Sequence, residues 1–314
     1  MLDVFLATLS PMMVMLLCMI IGFVLNKQKL CPENTTTVLS KLETYVLCPA
    51  LILSTFSEYC TVASLSDQYR MVLYSLLTVL LAILLAHGLS PFFAGKGYSR
   101  NIYKYALAFG NFGFMGNAIV PAILGEEMLY TYMLFTLPLN IGVYTWAITI
   151  LIPQGEGKRN PLKNLLNPVV FSVVIGAFLG LTGLTEKLPK FLMDTFNSLG
   201  TCMGPVAMVL TGFVIGNYSF KSLLNDRKVY IAALLRLFIF PALYILLLKA
   251  IGADNTTLTM CLFAFATPLG LNTVIFPAAY GGDTSIGASM AMISHTVCVL
   301  TIPIMYALLT VFYL

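Results

Sequence analysis

Ten long apolar segments follow one another along the chain, separated by short polar stretches. Each is close to the roughly 20 residues that an α-helix needs to cross a bilayer. Their apolar residues are continuous rather than alternating, which favours helices over a transmembrane β-barrel. We therefore predict an all-α polytopic membrane protein with ten transmembrane helices. The segments cover residues 4–25, 38–57, 70–93, 101–124, 128–152, 168–184, 190–216, 228–250, 257–280 and 284–313.

The composition agrees with a chain that lies in a bilayer. Of 314 residues, 59% are hydrophobic and 10% are charged, whereas about 25% of the residues in a soluble domain are charged. Because so few charged side chains cannot cover a soluble globule, we exclude a soluble enzyme, a coiled coil, a disordered chain and a nucleic-acid-binding protein. The seven cysteines have no CxxC or Cys/His spacing, so we expect no metal site.

Basic residues concentrate in every second loop. Of the 17 lysine and arginine residues, 11 lie in the first, third, fifth and seventh loops or at the adjoining span ends. Because short cytoplasmic loops are enriched in these residues, we predict that the four loops are cytoplasmic and that both termini lie outside. We expect a multi-pass protein of the plasma membrane, as in a bacterial inner membrane. The 11 residues are Lys27, Lys29, Lys96, Arg100, Lys104, Lys158, Arg159, Lys163, Lys221, Arg227 and Lys228.

The two halves of the chain repeat one another. Three pairs of residues in corresponding spans are separated by 154 to 156 positions. We predict a five-span repeat over residues 1–152, a cytoplasmic linker over 153–167 and a second five-span repeat over 168–314. Because five is odd, the second repeat enters the membrane from the opposite side, and such inverted repeats are typical of secondary transporters. The pairs are Pro49 and Pro205, Pro121 and Pro277, and Gly22 and Gly176.

Glycine and asparagine interrupt the fourth and ninth apolar segments. The sequence GNFGFMGN occupies residues 110–117, and TPLGLNT occupies residues 267–273. Each glycine lowers helix stability by about 1 kcal/mol relative to alanine, so we predict that both helices are broken. Broken helices at matching positions of an inverted repeat indicate a substrate site. The positive N-terminal helix ends there suit a carboxylate, and the carbonyl ends suit a cation.

A different interpretation of these glycines is close packing of helices through small residues. Gly113 and Gly116 would then approach a neighbouring helix. Packing alone does not account for Asn111, Asn117 and Asn272, which lie in the same stretches.

Several motifs resemble the auxin efflux carrier family, which contains the PIN-type carriers and their bacterial organic-anion transporter relatives. NFGFMG at residues 111–116 resembles the family's fourth-span motif, and ATPLG at 266–270, YGGD at 280–283 and TIP at 301–303 resemble its last two spans. The resemblance implies a scaffold of spans 1, 2, 6 and 7 and a transport domain of spans 3–5 and 8–10. The broken fourth and ninth helices would cross at the substrate site, and the transport domain would move as an elevator.

The resemblance also implies a substrate class and a partner. Bacterial members are associated with organic anions such as malate or malonate, and plant members export the indole carboxylate auxin. We therefore expect a secondary active transporter for a small organic anion, a carboxylate or a dicarboxylate. The family further suggests a homodimer formed through the scaffold, in addition to contact with the lipid bilayer.

Two site residues are carried over from the family pattern. Asn111 takes the position of its fourth-span asparagine, and Asn140 that of its fifth-span asparagine. The family's crossover prolines fall on Ala118 and Thr273, so the sequence departs from the pattern at both, and this leaves the substrate open. The residues that we expect at the substrate site are Asn111, Asn117, Asn140, Asn272, Thr273, Gly113, Gly116, Gly270, Pro268 and Ser54.

Few titratable residues lie inside the predicted spans. His295, in the tenth, is the candidate for proton coupling because a histidine titrates near neutral pH, although a structural histidine bonded to a neighbouring helix is equally consistent with the sequence. Sodium coupling would instead use carbonyls at the breaks with side-chain oxygens such as those of Asn272 and Thr273. We expect no cofactor beyond a coupling H⁺ or Na⁺. Arg236 could attract an anion, and we expect Glu43 to anchor the second span at the interface.

Two other functions fit the same pattern. One is a sodium-coupled carrier of the bile-acid type, which sodium-dependent uptake would indicate. The other is a receptor or sensor that keeps the transporter fold, which ligand binding without counterflow would indicate. An enzyme is not expected, because no acid pair and no nucleophile–base pair lies at span depth.

Overall fold

The computed structural model describes residues 2–151, 167–279 and 282–312. Within these ranges the chain forms helices and no strand, which confirms the all-α prediction. Seven helices are long and apolar enough to span a membrane, and three shorter apolar helices accompany them. Residues 153–166 of the predicted linker, including its three basic residues, lie outside the described residues. The first two residues of the YGGD motif, Tyr280 and Gly281, also lie outside them.

The helices follow the predicted apolar segments closely. Short helical turns at Leu184–Lys187 and Phe220–Leu223 lie between longer helices. The longer helices are α1 (Leu2–Lys27), α2 (Thr35–Tyr59), α3 (Val62–Phe93), α4 (Tyr98–Ala108), α5 (Phe112–Leu124), α6 (Glu126–Leu151), α7 (Pro168–Thr182), α8 (Lys190–Gly216), α9 (Arg227–Ala250), α10 (Asn255–Phe265), α11 (Asn272–Ala279) and α12 (Ser285–Phe312).

Polar residues define several helix ends. Thr61 and Ser64 form a capping box at the start of α3, and Asp254 accepts a hydrogen bond from the backbone N–H of Thr257 (2.7 Å) at the start of α10. Such caps satisfy backbone N–H groups that have no partner within the helix. Helix α7 ends at Gly183, whose φ of 67° is left-handed and favours glycine.

The fourth and ninth predicted segments are each interrupted. Helices α4 and α5 are separated by residues 109–111, and α10 and α11 by residues 266–271. The glycine-rich stretches GNFGFMGN and TPLGLNT overlap these interruptions. The predicted helix breaks are therefore present.

Glycines allow close packing among α1, α2, α7 and α8. A Cβ added at Gly22 of α1 would lie 1.9 Å from the carbonyl oxygen of Val209 in α8, and one added at Gly212 of α8 would lie 1.8 Å from that of Met19. Gly176 of α7 packs in the same way against α2. Van der Waals packing through small residues holds helices together in lipid. Gly22 and Gly176, the third pair in the predicted repeat, are thus both packing residues.

The remaining helices pack mainly in neighbouring pairs, and α12 also packs against α1 and α9. Helix α3 packs against α4 and α6, α5 packs against α6, and α9 packs against α10. Ser75 of α3 donates a hydrogen bond to the carbonyl of Phe135 in α6. Tyrosines fill the interior of this group, and Tyr103, Tyr105 and Tyr132 are almost wholly buried.

Glu43 does not anchor α2 at an interface, and that prediction is wrong. The helix begins at Thr35, so Glu43 lies more than two turns inside it. Its side chain is completely buried, and neither carboxylate oxygen has a hydrogen-bond partner among the described residues. It opens a turn of π-helix, Glu43–Leu47, that packs against α8.

Candidate substrate site at the helix breaks

The two helix breaks meet and pair with each other. Gly110 and Leu269 form an isolated antiparallel bridge, and the backbone N–H of Asn111 donates to the carbonyl oxygen of Pro268 (2.7 Å). Leu269 donates its own N–H to the hydroxyl of Ser294 in α12 (3.0 Å). Each break therefore satisfies part of the other's freed backbone, as non-helical backbone inside a membrane requires.

Four helix ends surround this bridge. Helices α4 and α10 end at Ala108 and Phe265, while α5 and α11 begin at Phe112 and Asn272. A helix end carries roughly half an elementary charge, negative at the carbonyl end and positive at the N–H end. Two carbonyl ends and two N–H ends therefore lie within the same small region.

A cavity of about 140 Å³ opens beside the bridge. Its polar part contains Asn111, Asn117, Asn140 and Asn272, and the first turns of α5 and α11 also line it. We call it the break cavity. Its remaining lining residues include Thr44, Cys48, Ile52, Gly110, Phe112, Gly113, Phe114, Val143, Tyr144, Val169, Leu271, Ile275 and Phe276.

A second and larger cavity, of about 310 Å³, adjoins the first. We call it the apolar cavity because most of its lining side chains are hydrocarbon. The two cavities share Ile52, Asn117, Asn140, Tyr144 and Val169. The two cavities therefore form one space, with a polar end at the helix breaks and an apolar wall formed by α2, α6 and α7. The other residues that line the apolar cavity are Phe56, Met133, Thr136, Leu137, Ile141, Val170 and Val173.

The asparagine side chains of the break cavity differ in whether their amide atoms already have hydrogen-bond partners. The Nδ2 of Asn140 donates to the Thr136 carbonyl (3.2 Å), and that of Asn272 donates to the hydroxyl of Tyr105 (2.8 Å). The buried Oδ1 of Asn117 has no partner among the described residues. Because an amide can turn to present either its oxygen or its nitrogen, Asn117 has capacity left for a ligand.

The two contacts of His295, as placed, fit a neutral ring. Its Nδ1 lies 2.8 Å from the carbonyl oxygen of Ala291, so that nitrogen must carry the proton and donate it. Its Nε2 lies 2.9 Å from the Nδ2 of Asn111 and accepts from that amide. A second proton on the ring would place two donors face to face. The charge of His295 is therefore linked to the orientation of Asn111.

Five predicted site residues do not line either cavity. Ser54 donates to the Leu51 carbonyl of its own helix (3.0 Å), and Thr273 donates to that of Gly270 (2.8 Å). Gly270 packs beside Tyr105, and Pro268 supplies the carbonyl for the bridge. Thr273, Gly270, Pro268 and Gly116 therefore support the breaks, whereas Ser54 bonds only within α2.

The glycines of α5 are open to two interpretations from the sequence, close packing against a neighbouring helix or a place at the candidate substrate site, and the structure assigns one glycine to each. A Cβ added at Gly116 would lie 2.0 Å from the Tyr132 hydroxyl, which donates to the Phe112 carbonyl (2.9 Å). A Cβ at Gly113 would meet nothing within 4 Å, because Gly113 lines the break cavity. Gly116 is a packing glycine, whereas Gly113 leaves open space.

We therefore expect the same substitution to lower stability at Gly116 and ligand affinity at Gly113. Gly116→Ala should destabilise the protein by about 1–3 kcal/mol, as added methyl groups in packed interiors do, and lower its melting temperature in detergent. Gly113→Ala should leave the melting temperature near that of the wild type and weaken ligand binding, since its methyl group enters the break cavity. Equal melting temperatures for the two variants would contradict this placement.

Turns of π-helix supply residues that the sequence did not reveal. Four such turns occur in the described part of the chain, Glu43–Leu47, Phe112–Gly116, Val143–Ala147 and Leu235–Ile239. The first three place residues in the break cavity, and the fourth carries Arg236, which lies behind Gly110. Turns of this kind are frequent at functional sites, but they have no clear sequence signature.

The match to a family model agrees with this arrangement. A model described as a membrane transport protein matches residues 7–306, nearly the whole chain. No curated protein matches the chain. The matched family is one of transporters, not of enzymes. The predicted resemblance is therefore confirmed, and the chain belongs to this membrane transport family, the auxin efflux carrier family.

Proposed function

We propose that the protein is a secondary active transporter that binds a small organic anion, a carboxylate, in the break cavity. The observation that carries this proposal is the convergence of two N–H helix ends and four asparagines at one end of a continuous polar and apolar space. N–H helix ends favour a carboxylate through their partial positive charge.

The linings favour one carboxylate with an apolar body over a dicarboxylate. Among the described residues, no lysine, arginine or histidine lines either cavity, so the anion would be held by dipoles and amides at the break end. A second carboxylate would lie against Phe56, Val170 and Val173, where burying an unpaired charge is very unfavourable. An aliphatic or aromatic group fits that wall.

We further propose the architecture that the resemblance implies. Ten spans would form two inverted repeats in the plasma membrane, with both termini outside. Helices α1, α2, α7 and α8, which pack closely, would form the scaffold and a homodimer interface. The other helices would form the transport domain and move as an elevator. A site lined by α2 and α7 on one side and by α5, α6 and α11 on the other lies where such a motion would change its access.

Ligand binding tests the proposed substrate class. We would measure the thermal stability of the purified protein with an aromatic monocarboxylate, its primary amide and a dicarboxylate of similar length. A ligand at about 100 times its Kd stabilises the folded state by about 2.7 kcal/mol. We expect stabilisation by the monocarboxylate, little by the amide and less by the dicarboxylate than by the monocarboxylate. Equal shifts with the acid and the amide would exclude a carboxylate site.

Proton coupling through His295 is the second part of the proposal. His295→Gln should preserve substrate exchange between the two sides of a proteoliposome but abolish accumulation driven by a pH gradient, because glutamine bonds to Asn111 without titrating near neutrality. The control is His87→Gln, which changes the chain's other histidine, exposed on α3. Accumulation by His295→Gln at the wild-type level would make His295 a structural residue.

A further inference from the structure

Arg236 is a buried cation at the centre of the molecule. It lies in the π-helical turn of α9 and has no accessible surface. Within the described residues it forms no salt bridge, and its Nε has no hydrogen-bond partner. A buried charge of this kind is very unfavourable unless its surroundings compensate it. The groups that face Arg236 must therefore stabilise its positive charge.

Those groups are the carbonyl ends of both broken helices. The Nη1 of Arg236 donates to the carbonyl oxygen of Ala108, the last residue of α4, and its Nη2 to that of Ala264, in the last turn of α10 (3.4 Å each). The guanidinium carbon also lies 5.2 Å from the centre of the Phe265 ring. One side chain therefore bridges the negative ends of two helices that belong to different halves of the chain.

The charges at the bridge then balance without an added cation. Two carbonyl ends contribute about −0.5 each, which the single positive charge of Arg236 offsets. The two N–H ends of α5 and α11 remain, with a combined charge of about +1. That remainder matches one carboxylate.

The same carbonyl ends are where a coupling cation would bind. Unwound backbone carbonyls and helix C-terminal ends coordinate sodium in transporters with broken helices. The two side chains expected at a sodium site hydrogen-bond elsewhere: the hydroxyl of Thr273 donates to the Gly270 carbonyl, and the Nδ2 of Asn272 donates to the hydroxyl of Tyr105. The guanidinium of Arg236 lies at these carbonyl ends, where a coupling sodium ion would bind.

We propose that Arg236 is a built-in counter-cation that takes the place of a coupling sodium ion, so that the break cavity binds a single carboxylate without sodium. This inference rests on the proposed carboxylate site. It names Arg236 as a positioning residue, because its side chain does not line either cavity and acts through the two helix ends. It also argues against the sodium-coupled alternative.

Binding measurements in two salts test the proposal. We would measure the Kd of a labelled aromatic monocarboxylate for the full-length protein in sodium chloride and in choline chloride of equal ionic strength. The wild type should bind equally in both. Arg236→Ala should bind about tenfold to thirtyfold more weakly in choline, the range expected for a buried charge at a helix end. Sodium or free guanidinium ions should restore its affinity by occupying the vacated space.

Two further variants complete the design. Arg236→Lys keeps a positive charge and should bind without sodium, and it also provides a test if the alanine variant does not fold. Arg227→Ala removes an exposed arginine from the same helix and should match the wild type.

Each outcome decides between the proposals. A sodium requirement in the wild type, wild-type affinity of Arg236→Ala in choline, or a loss that neither cation restores would overturn the role of Arg236. Failure of the wild type to bind any carboxylate in either salt would instead overturn the proposed carboxylate site, and this inference with it.

Discussion

Replacing Asn111 with alanine is expected to abolish carboxylate transport while leaving the protein folded. The amide lines the break cavity and bonds to His295. The substitution therefore removes a polar group from the site and leaves the Nε2 of His295 without its hydrogen-bond partner. Hydrogen bonds to a charged group contribute about 1.5–3 kcal/mol, which corresponds to a loss of affinity of about tenfold to a hundredfold. Uptake by proteoliposomes and ligand-induced thermal stabilisation would both be measured.

The matched control is Asn101→Ala. Asn101 lies in the first turn of α4 and lines neither cavity, so its replacement should leave uptake and affinity unchanged. Wild-type affinity in Asn111→Ala would exclude the break cavity as the substrate site. A loss of folded protein in Asn111→Ala would give its bond to His295 a mainly structural role.

Gly212→Ala is expected to disrupt the packing of α1 against α8. The new methyl group would lie 1.8 Å from the carbonyl oxygen of Met19, which is backbone and has no rotamer to change. The two helices must separate, and overpacking of this kind destabilises by about 1–3 kcal/mol or more. We expect a lower melting temperature in detergent and a lower yield of folded protein.

Gly88→Ala provides the comparison within another long helix. A Cβ at Gly88 of α3 would meet nothing within 4 Å, and alanine favours a helix by about 0.5–1 kcal/mol over glycine. The melting temperature of Gly88→Ala should equal or exceed that of the wild type. If Gly212→Ala and Gly88→Ala had the same melting temperature, below that of the wild type, the loss of a glycine would be the cause and not the contact between α1 and α8.

Much of the fold follows from local properties of the sequence. Apolar runs of sufficient length predict helices because the bilayer leaves few other ways to satisfy the backbone. The breaks follow from clustered glycines at residues 110–116 and from TPLG at residues 267–270. The ten-span inverted repeat remains a prediction, since three of the apolar helices are shorter than a full span.

Other features depend on contacts between distant segments. The apolar pattern places the start of the second span near residue 38 and so predicts Glu43 at an interface, whereas α2 begins at Thr35 and turns Glu43 inward. The sequence marks Arg236 as a residue that could attract an anion, but nothing near it in the sequence shows that it faces Ala108 and Ala264. Such placements arise from packing between helices.

The lining of the break cavity was predictable where its polar residues lie in the glycine-rich stretches at the breaks. Asn111, Asn117, Asn272 and Gly113 line the break cavity, as does Asn140 of α6. Thr273 and Gly270 come from the same stretches but hold the backbone, because a break also needs residues that satisfy its own carbonyls. The apolar wall from α2, α6 and α7 could not be foreseen, since it is formed by hydrocarbon side chains that resemble those elsewhere in the spans.

The most direct test of the central claim is counterflow in proteoliposomes loaded with an unlabelled aromatic monocarboxylate. Wild-type protein should take up the labelled compound transiently above equilibrium when placed in a dilute solution of it, and Asn111→Ala should not. This result requires both binding and movement of the site across the bilayer. Saturable binding by the wild type without any counterflow would contradict a transporter and indicate a receptor with the same fold.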